Sequence, residues 1–289
     1  MTKVAKALVA EGHTAAIVPT TGPGSAASQA RQAASDRADV IFACGGDGTV
    51  NEVLQGLVSE TGTPACTMGV IPLGSANALA RHLRLSFDPC TAALQQIHGK
   101  ACTIPVGRIA GVGSPRYFVV MAGAGPDGAL VYSLLAPHKS QLGRTAYYLR
   151  AARLFATRRF RPFEIEFTRT GAASPITTQA VSAMAVRVGN LGGLFSGLTS
   201  RHLSVHDSAL ELHILKPPAL LSLPLWFVSG WLGLLALNPM LSRVEVTSLN
   251  CRPTGKLAPH MQADGEWIGR APLEISMLPN ALRILLPIP

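Results

Sequence analysis

Residues Ile41–Glu52 read IFACGGDGTVNE and join an apolar run to a run with helical spacing through glycines and one aspartate. The apolar residues that follow recur on one helix face, and we predict that this helix begins near Thr49 or Val50. Gly45, Gly46 and Gly48 allow a sharp turn and let a phosphate approach backbone N–H groups. In the alternative interpretation, the stretch is a plain turn that Asp47 caps, and these residues alone do not decide between the two.

A second strand, loop and helix follow in GVIPLGSANALARHL, residues 69–83. Gly74, Ser75 and Asn77 form a small, polar loop, and Asn77 is a natural N-cap for a helix over Ala78–Leu83. Open parallel sheets bind ligands beyond the carboxyl ends of their strands. We therefore expect this loop to lie beside the first one and to share a ligand with it.

The first third of the chain, residues 1–104, alternates runs typical of strands and helices, which predicts an α/β domain with a parallel sheet. Residues 105–289 instead contain many runs with period-two alternation, which predict a mostly antiparallel β domain with helical inserts near 138–158 and 219–237. The predicted elements of the first domain are strands at Ala15–Val18, Val40–Cys44 and Met68–Ile71, and helices at Ser25–Ala38 and after Asp88-Pro89.

The composition describes a folded, basic protein. Of 289 residues 48% are hydrophobic and 14% charged, and the net charge of +9 favours anionic partners. The five cysteines show no CxxC spacing, so neither a disulfide framework nor a zinc site is indicated. The N-terminus shows no signal-peptide core, which predicts a cytoplasmic location, and no motif supports nucleic-acid binding.

Two segments predict contact with a membrane surface. Residues 217–242 carry no charge but are interrupted by Pro224 and Gly230, which favours a buried or interfacial helix over a membrane-spanning one. Residues 144–161 carry six arginines and no acid, with aromatic residues between them. We expect a lipid substrate at an anionic membrane surface, with peripheral contact through 144–161 and 219–237 at the inner face.

The stretch MQADGEWIG, residues 261–269, has the Asp-Gly pair of a β-hairpin turn. It is either a plain turn or a hairpin whose tip presents Glu266 as a proton acceptor. Two nucleotide-binding patterns are set aside. No GxxxxGK[ST] occurs, and GAGPDG at 123–128 contains Pro126 and is followed by no acid before Glu164. His202 and His206 lie in a strand-like region, where their spacing does not bring them together.

Five motifs in order resemble the diacylglycerol kinase catalytic-domain family of bacterial lipid kinases, which is related to sphingosine and ceramide kinases. They are GGDGTVNEV at 45–53, PLGSANALAR at 72–81, the segment 117–127 ending in GxGxD, HDSALELHIL at 206–215 and QADGE at 262–266. The resemblance implies a phosphofructokinase-like α/β domain, a C-terminal antiparallel β-sandwich, and ATP bound in the cleft between them.

The resemblance also implies roles for individual residues. Residues 45–49 would hold phosphates and Mg²⁺, with Asp47 as a catalytic and metal-binding residue, and residues 74–77 would line the nucleotide site. Glu266 would be the general base, and Asp264 would support the Mg²⁺ network. Asp207, with backbone carbonyls near Ser204 and Ala209, is similar to a structural Mg²⁺ site.

Three departures from the family pattern accompany the resemblance. Family members begin with a strand and an NPxSG-like phosphate loop, and this chain starts beyond that point, so we expect a misplaced start or a truncation. The second loop often reads GTxND, whereas Ser75 and Ala78 stand here. The family's DG pair is Asp207-Ser208. The leading hypothesis is an ATP-dependent lipid kinase, and the alternatives are a catalytically impaired nucleotide- or lipid-binding module and a kinase of a soluble substrate such as NAD.

Overall fold

The computed structural model describes residues 1–111, 113–134, 153–154, 159–189 and 204–288. Within these ranges it contains thirteen strands and seven α-helices, which we number in chain order. Most of the predicted basic segment 144–161, much of the predicted insert 138–158, and His202 lie outside the described residues.

The N-terminal part alternates helices and strands as predicted. Its elements are α1 Thr2–Ala10, α2 Ser25–Ser35, β1 Val40–Gly45, α3 Asp47–Leu57, β2 Thr67–Pro72, α4 Ala78–His82 and α5 Pro89–Ile97. Asp88 caps α5 by accepting a hydrogen bond from the Thr91 N–H at 2.8 Å, which confirms the predicted helix start. The predicted strand at Ala15–Val18 is wrong. That segment forms no strand, and Val18 is 64% exposed.

The C-terminal part is rich in strands, as predicted. Its elements are β3 Lys100–Ala110, β4 Arg116–Phe118, β5 Met121–Ala124, α6 Pro126–Leu134, β6 Phe163–Arg169, β7 Ile176–Ala180, β8 Ser182–Val186, β9 Leu210–Leu215, α7 Ala219–Trp231, a 3₁₀ turn at Leu235–Leu237, β10 Leu241–Arg252, β11 His260–Ala263, β12 Glu266–Arg270 and β13 Leu273–Leu286. Helix α6 was not predicted. It begins at Pro126, since proline suits the first position of a helix.

The strands form one mixed sheet in the order β1-β2-β13-β10-β9-β8-β5-β11-β12, with β3, β4, β6 and β7 paired at its side. Strand β2 is parallel to both β1 and β13, and the remaining pairings are antiparallel. The predicted fold class, a parallel α/β part followed by an antiparallel β part, is confirmed. Strand β3 runs through the predicted domain boundary at 104/105, which therefore stays a prediction.

The last strand, β13, joins the two parts of the sheet. Its end pairs with β2 through Arg283 and Ile284, and its beginning pairs with β10 through Leu273–Ser276. Apolar side chains pack on both sides of this junction. One cluster surrounds Leu54 and Met68 in the N-terminal part, and the other fills the C-terminal strands. Because β13 belongs to both parts, it fixes the position of the C-terminal hairpin relative to the N-terminal loops.

Helix α7 occupies the middle of the uncharged segment 217–242. Its residues Ser222 and Leu223 are buried on the inner side, while Leu220 and Trp231 are exposed on the outer side. Of the two predicted possibilities, buried or interfacial, the structure thus shows a helix that buries one face and exposes the other. Across the described ranges, no helix has the length and apolar character needed to cross a bilayer.

Candidate active site

The two glycine-containing loops lie side by side. Strands β1 and β2 pair in parallel up to Gly45 and Pro72, and the Leu73 N–H donates to the Gly45 carbonyl at 2.9 Å. The chain therefore leaves both strands at the same edge. A Cβ atom added to Gly74 would lie 2.5 Å from the Cα of Gly46, which is closer than real Cβ contacts come. Glycine is required here because the two backbones touch.

Asp47 links the two loops through its carboxylate. Its Oδ2 accepts the Asn77 N–H at 2.9 Å, and its Oδ1 accepts the Ala78 N–H at 2.8 Å. Helix α3 begins at Asp47 itself, two to three residues before the predicted start, with Gly46 as its N-cap residue. Asp47 therefore lies at the start of two helices, α3 and α4, where a negative charge is favourable.

Asn77 does not cap α4 with its side chain, which corrects the prediction. Its amide instead bonds both backbone groups of Gly74, accepting the N–H at 2.9 Å and donating to the carbonyl at 2.7 Å. Asn77 adopts φ 49°, which Asn tolerates better than most residues. Asp47 supplies the cap that Asn77 was expected to provide, and Asn77 holds the loop shape. Gly74, which lies against Gly46, and Ser75 remain exposed, where a ligand can reach them.

The hairpin predicted at Asp264-Gly265 is confirmed. Both residues have positive φ, 47° and 84°, as a two-residue type I′ turn requires, and Glu266 is the first residue of β12. The side chain of Asp264 points back into the protein and is 8% exposed. It accepts hydrogen bonds at 2.9 to 3.2 Å from the N–H groups of Val119, Val120 and Met121 and from Asn51 Nδ2.

These bonds have two consequences. They engage the N–H groups of Val119 and Val120, the two residues that separate β4 from β5. They also tie the hairpin to α3, because Asn51 lies one turn after Asp47 on that helix. Burial raises the pKa of Asp264, and the hydrogen bonds oppose this effect.

Glu266 approaches the first loop from the C-terminal part of the sheet. Its Oε1 would lie 4.0 Å from a Cβ atom on Gly48, and its Oε2 accepts a hydrogen bond from Arg116 Nη2 at 3.0 Å. Burial raises the pKa of this carboxyl group, Arg116 lowers it, and the charge of Glu52 raises it again. Glu266 therefore combines a raised proton affinity with a fixed orientation next to the candidate phosphate loop.

Sequence reasoning missed Arg116, Asn51 and Glu52. Glu52 accepts the N–H groups of Gly24 and Ala26 and so fixes the start of α2 beside the site. Asn51 carried a usable signal, since its spacing of four residues from Asp47 places both on one helix face. Arg116 carried none, because a strand residue 150 positions from Glu266 shows no local pattern that pairs the two.

A buried carboxyl group supports the hairpin from behind. Asp127, in the first turn of α6, accepts a hydrogen bond from Gln262 Nε2 at 3.2 Å, and Gln262 Oε1 accepts the Gly265 N–H at 2.9 Å. Burial raises the pKa of Asp127 to about 6, with its hydrogen bonds acting in the opposite direction. Its Oδ1 is buried without a hydrogen-bond partner. The turn that presents Glu266 is thus held at Gly265 as well as at Asp264.

The predicted metal ligands do not form one cluster. Among the described residues, no group of three His, Cys, Asp or Glu side chains is arranged to hold a metal ion. Asp264 does not fit a metal ligand, because four N–H donors already occupy its oxygens. Asp47 fits better. Each of its oxygens accepts one bond and retains a second lone pair, and a magnesium ion bound with a nucleotide needs only one or two carboxylates.

The structural Mg²⁺ site predicted around Asp207 stays a prediction, and a cationic side chain lies near it. The guanidinium group of Arg187 is 4% exposed and donates to the carbonyls of Val205 and Asp207 at 3.2 and 3.3 Å. The Asp207 carboxylate accepts the Ser204 N–H at 2.6 Å. Burial lowers the pKa of Arg187 to about 10, so the group stays charged at neutral pH. A cation supplied by the chain thus binds the carbonyls of Val205 and Asp207, next to the carbonyls near Ser204 and Ala209 that the resemblance assigned to the metal.

Comparison with known proteins gives the family. A model of the diacylglycerol kinase catalytic domain matches residues 1–109, and a model of the YegS C-terminal NAD kinase beta sandwich-like domain matches residues 120–286. Together the two models match nearly the whole chain, and the second, which matches more than half of it, shows that the chain belongs to the family of YegS C-terminal NAD kinase beta sandwich-like domains. The order of the two matched models agrees with the parallel and antiparallel parts of the sheet.

Two curated relatives carry the name of the family that the first model describes. A protein named diacylglycerol kinase from Bacillus subtilis (strain 168) is 34% identical over 206 residues, which cover 71% of this chain and 64% of that protein. One of the same name from Staphylococcus aureus (strain JH9) is 30% identical over 54% of this chain and 48% of its own length. The chain thus spans less than two thirds of these curated relatives.

Two crystal structures from Bacillus anthracis str. Sterne share the fold. The alignment with one of them covers 100% of this chain and 89% of the chain in that structure, with a TM-score of 0.76 and 22% identity. The other, described as a diacylglycerol kinase, has a TM-score of 0.68 and 19% identity and covers 100% of this chain. At these identities the likeness concerns the fold.

Proposed function

We propose that the protein is an ATP-dependent kinase that transfers the γ-phosphoryl group to the hydroxyl group of a lipid. The observation that carries the proposal is the position of Glu266. Its carboxylate lies against Gly48, at the start of the helix that follows the glycine-rich loop. A proton acceptor next to a candidate phosphate-binding loop is the minimum that phosphoryl transfer to a hydroxyl group needs.

The loops would bind the nucleotide phosphates through the backbone. The first N–H groups of α3 have no partner within the helix and carry its positive partial charge, and Gly46 and Gly48 leave room for a phosphate to approach them. Residues 74–77 would line the other side of the nucleotide, with Asn77 holding the loop open. Mg²⁺, bound with ATP and contacted by Asp47, would offset the negative charge on the transferred group.

Glu266 would accept the proton of the attacking hydroxyl group. Burial makes its carboxylate a stronger base than an exposed one, and Arg116 fixes Oε2 so that Oε1 faces the loop. Asp264 would act as a positioning residue for Glu266, since its hydrogen bonds fix the turn before β12. We therefore propose a role for Asp264 different from the metal-network role that the sequence predicted.

A lipid acceptor is supported by the family and by the names of the relatives, which are diacylglycerol kinases. The basic composition and the exposed apolar face of α7 agree with a substrate at a membrane surface. Of the two alternatives, a kinase of a soluble substrate predicts activity without lipid. A catalytically impaired binding module, motivated by Ser75 and Ala78, predicts nucleotide binding without transfer.

The test is phosphoryl transfer from γ-labelled ATP in the presence of Mg²⁺. The acceptors are diacylglycerol, phosphatidylglycerol, a sphingoid base and ceramide in detergent micelles, and NAD in solution. We expect a labelled lipid, and a loss of about 100-fold or more in Glu266→Gln. Nucleotide binding by Glu266→Gln, measured by calorimetry, should remain. No labelled lipid would defeat the proposal, labelled NAD would favour the soluble-substrate kinase, and a fully active Glu266→Gln would refute the role of the base.

A further inference from the structure

The outer face of α7 and of the turn after it is apolar and exposed to an unusual degree. Leu220 is 89% exposed, Trp231 72% and Leu237 75%. Leu221, Leu225, Val228, Leu232 and Leu234 extend the same surface, with exposures between 38% and 57%. Single exposed apolar residues are common. A contiguous group of this size in one helical segment indicates a surface that binds a membrane or another molecule.

Packing on the inner side keeps this face turned outward. Leu223 belongs to a buried cluster with Val181 and Leu215, and Leu235 is 3% exposed. Asn238 Nδ2 donates to Ser229 Oγ at 3.0 Å, which ties the segment after α7 back to the helix. The helix cannot turn its leucines inward without breaking these contacts.

The charged residues that flank this segment along the chain are positive. No charged residue occurs between Pro217 and Ser242, and the flanking residues, Lys216 and Arg243, are both exposed. On strands β9 and β10, Leu215 pairs with Leu241 at the foot of α7. The two acids that face each other on these strands, Glu211 and Glu245, pair four positions further from the helix. That is about 13 Å from the foot of the helix. Along these two strands, cations therefore lie closer to the helix than acids do.

We propose that this face, α7 with Leu234 and Leu237, docks into the headgroup region of an anionic lipid bilayer. Thirteen residues give a helix about 20 Å long, too short for a hydrocarbon core of about 30 Å. Its face, about 20 Å by 10 Å, is also well below the ~800 Å² per partner that a stable dimer buries. An interfacial position suits Trp231 and the leucines, and the flanking cations would contact lipid phosphates.

The link to catalysis rests on the proposed function, because the docked face would bring the site to a lipid acceptor. Docking itself is tested without ATP, by cosedimentation with vesicles of phosphatidylcholine alone or mixed with phosphatidylglycerol. We expect binding that rises with the anionic lipid, and a loss of about tenfold or more in the double variant Leu220→Ser, Trp231→Ser. Val18→Ser, at a position 64% exposed in the N-terminal part, is the matched control and should bind as the parent protein does.

Quenching by brominated acyl chains gives a second measurement. It should affect the tryptophan emission of the parent protein and be much weaker in Trp231→Phe. Equal vesicle binding by the double variant, or no binding by the parent protein, would overturn the proposal. A concentration-dependent dimer that the double variant abolishes would assign the face to a second copy instead. In detergent micelles the double variant should keep its kinase activity. Vesicle binding without any kinase activity would contradict the proposed function and leave docking intact.

Discussion

Asn51 Nδ2 donates a hydrogen bond to Asp264 Oδ2 at 3.2 Å, although 213 positions of the sequence separate the two residues. Asn51 lies on the helix that begins at Asp47, and Asp264 lies two residues before Glu266. The bond therefore fixes the distance between the candidate phosphate loop and the candidate base. It is buried, so no water compensates for its loss.

Replacing Asn51 with Leu, a side chain of similar volume, should remove this connection. Asp264 would keep three of its four hydrogen-bond donors. The free energy of unfolding should therefore fall by about 1–3 kcal/mol. The turnover number should fall as well, because Glu266 is held less firmly. Urea unfolding and steady-state kinetics measure the two effects. Gln29→Leu, which removes an exposed bond to the Pro19 carbonyl, should change stability by less than about 0.5 kcal/mol. Unchanged kinetics in Asn51→Leu would show that the bond does not position the base.

The ion pair between Arg116 and Glu266 predicts a shift in pH dependence. Arg116 lowers the pKa of Glu266, so Arg116→Met should raise it. The base must be deprotonated to act, and the acidic limb of the profile of kcat/KM should therefore move to higher pH. Arg108→Met is the control, since Arg108 pairs with Glu60 instead. An acidic limb at the same pH in both variants and in the parent protein would indicate that another group controls it.

Asp47 should matter for both stability and activity. Asp47→Ala leaves the N–H groups of Asn77 and Ala78 without their acceptor, which should cost about 0.5–2 kcal/mol of stability. Activity should fall far more than this cost explains, because the second loop moves and a candidate metal ligand is lost. Asp88→Ala removes a comparable cap from α5 and should lose stability at full activity. Similar activities in the two variants, measured with saturating ATP, would show that Asp47 acts only as a helix cap.

The sequence predicted the parts of the site that depend on local pattern. Apolar periodicity located α3 and β2, and the Asp264-Gly265 pair predicted the hairpin, because only certain residues tolerate positive φ at both positions. It did not predict which N–H groups the side chains accept. Asp47 binds Ala78, 31 positions away, and Asp264 binds Val119, 145 positions away. Periodicity carries no information about such partners.

The same limit applies to the metal assignments. In the sequence, a carboxylate that will bind a metal ion cannot be distinguished from one that will accept hydrogen bonds from three backbone amides. Asp264 and Asp207 were therefore expected to contact metal, whereas backbone amides and a buried guanidinium group surround them. The cation near Asp207 comes from Arg187, 20 positions earlier, in a strand-like run that showed only alternation. The sequence showed where the acids are, and the three-dimensional contacts show what neutralises them.

Asp127 should make stability depend on pH. Burial raises its pKa from the ordinary value of 3.8 to about 6, so the folded protein binds a proton that the unfolded chain releases. The associated stability is present below about pH 4 and is lost as the pH rises through 6. Between pH 4 and 7 the parent protein should lose on the order of 3 kcal/mol relative to Asp127→Asn. Urea unfolding at both pH values measures this, with Asp36→Asn as the exposed control. Parallel pH profiles for the parent protein and Asp127→Asn would contradict the expectation.

The buried guanidinium group of Arg187 predicts that the region around Asp207 needs no metal ion. Without nucleotide, the thermal unfolding midpoint should be the same in a chelator as in Mg²⁺, because the carbonyls of Val205 and Asp207 already have a cationic donor. Arg187→Met should destabilise the protein by about 3 kcal/mol or more, since it leaves those carbonyls unpaired and Asp264 without a nearby positive charge. Arg169→Met, at an exposed strand position, should have little effect. A large drop in the midpoint of the parent protein on chelation would instead show that a metal ion stabilises the fold.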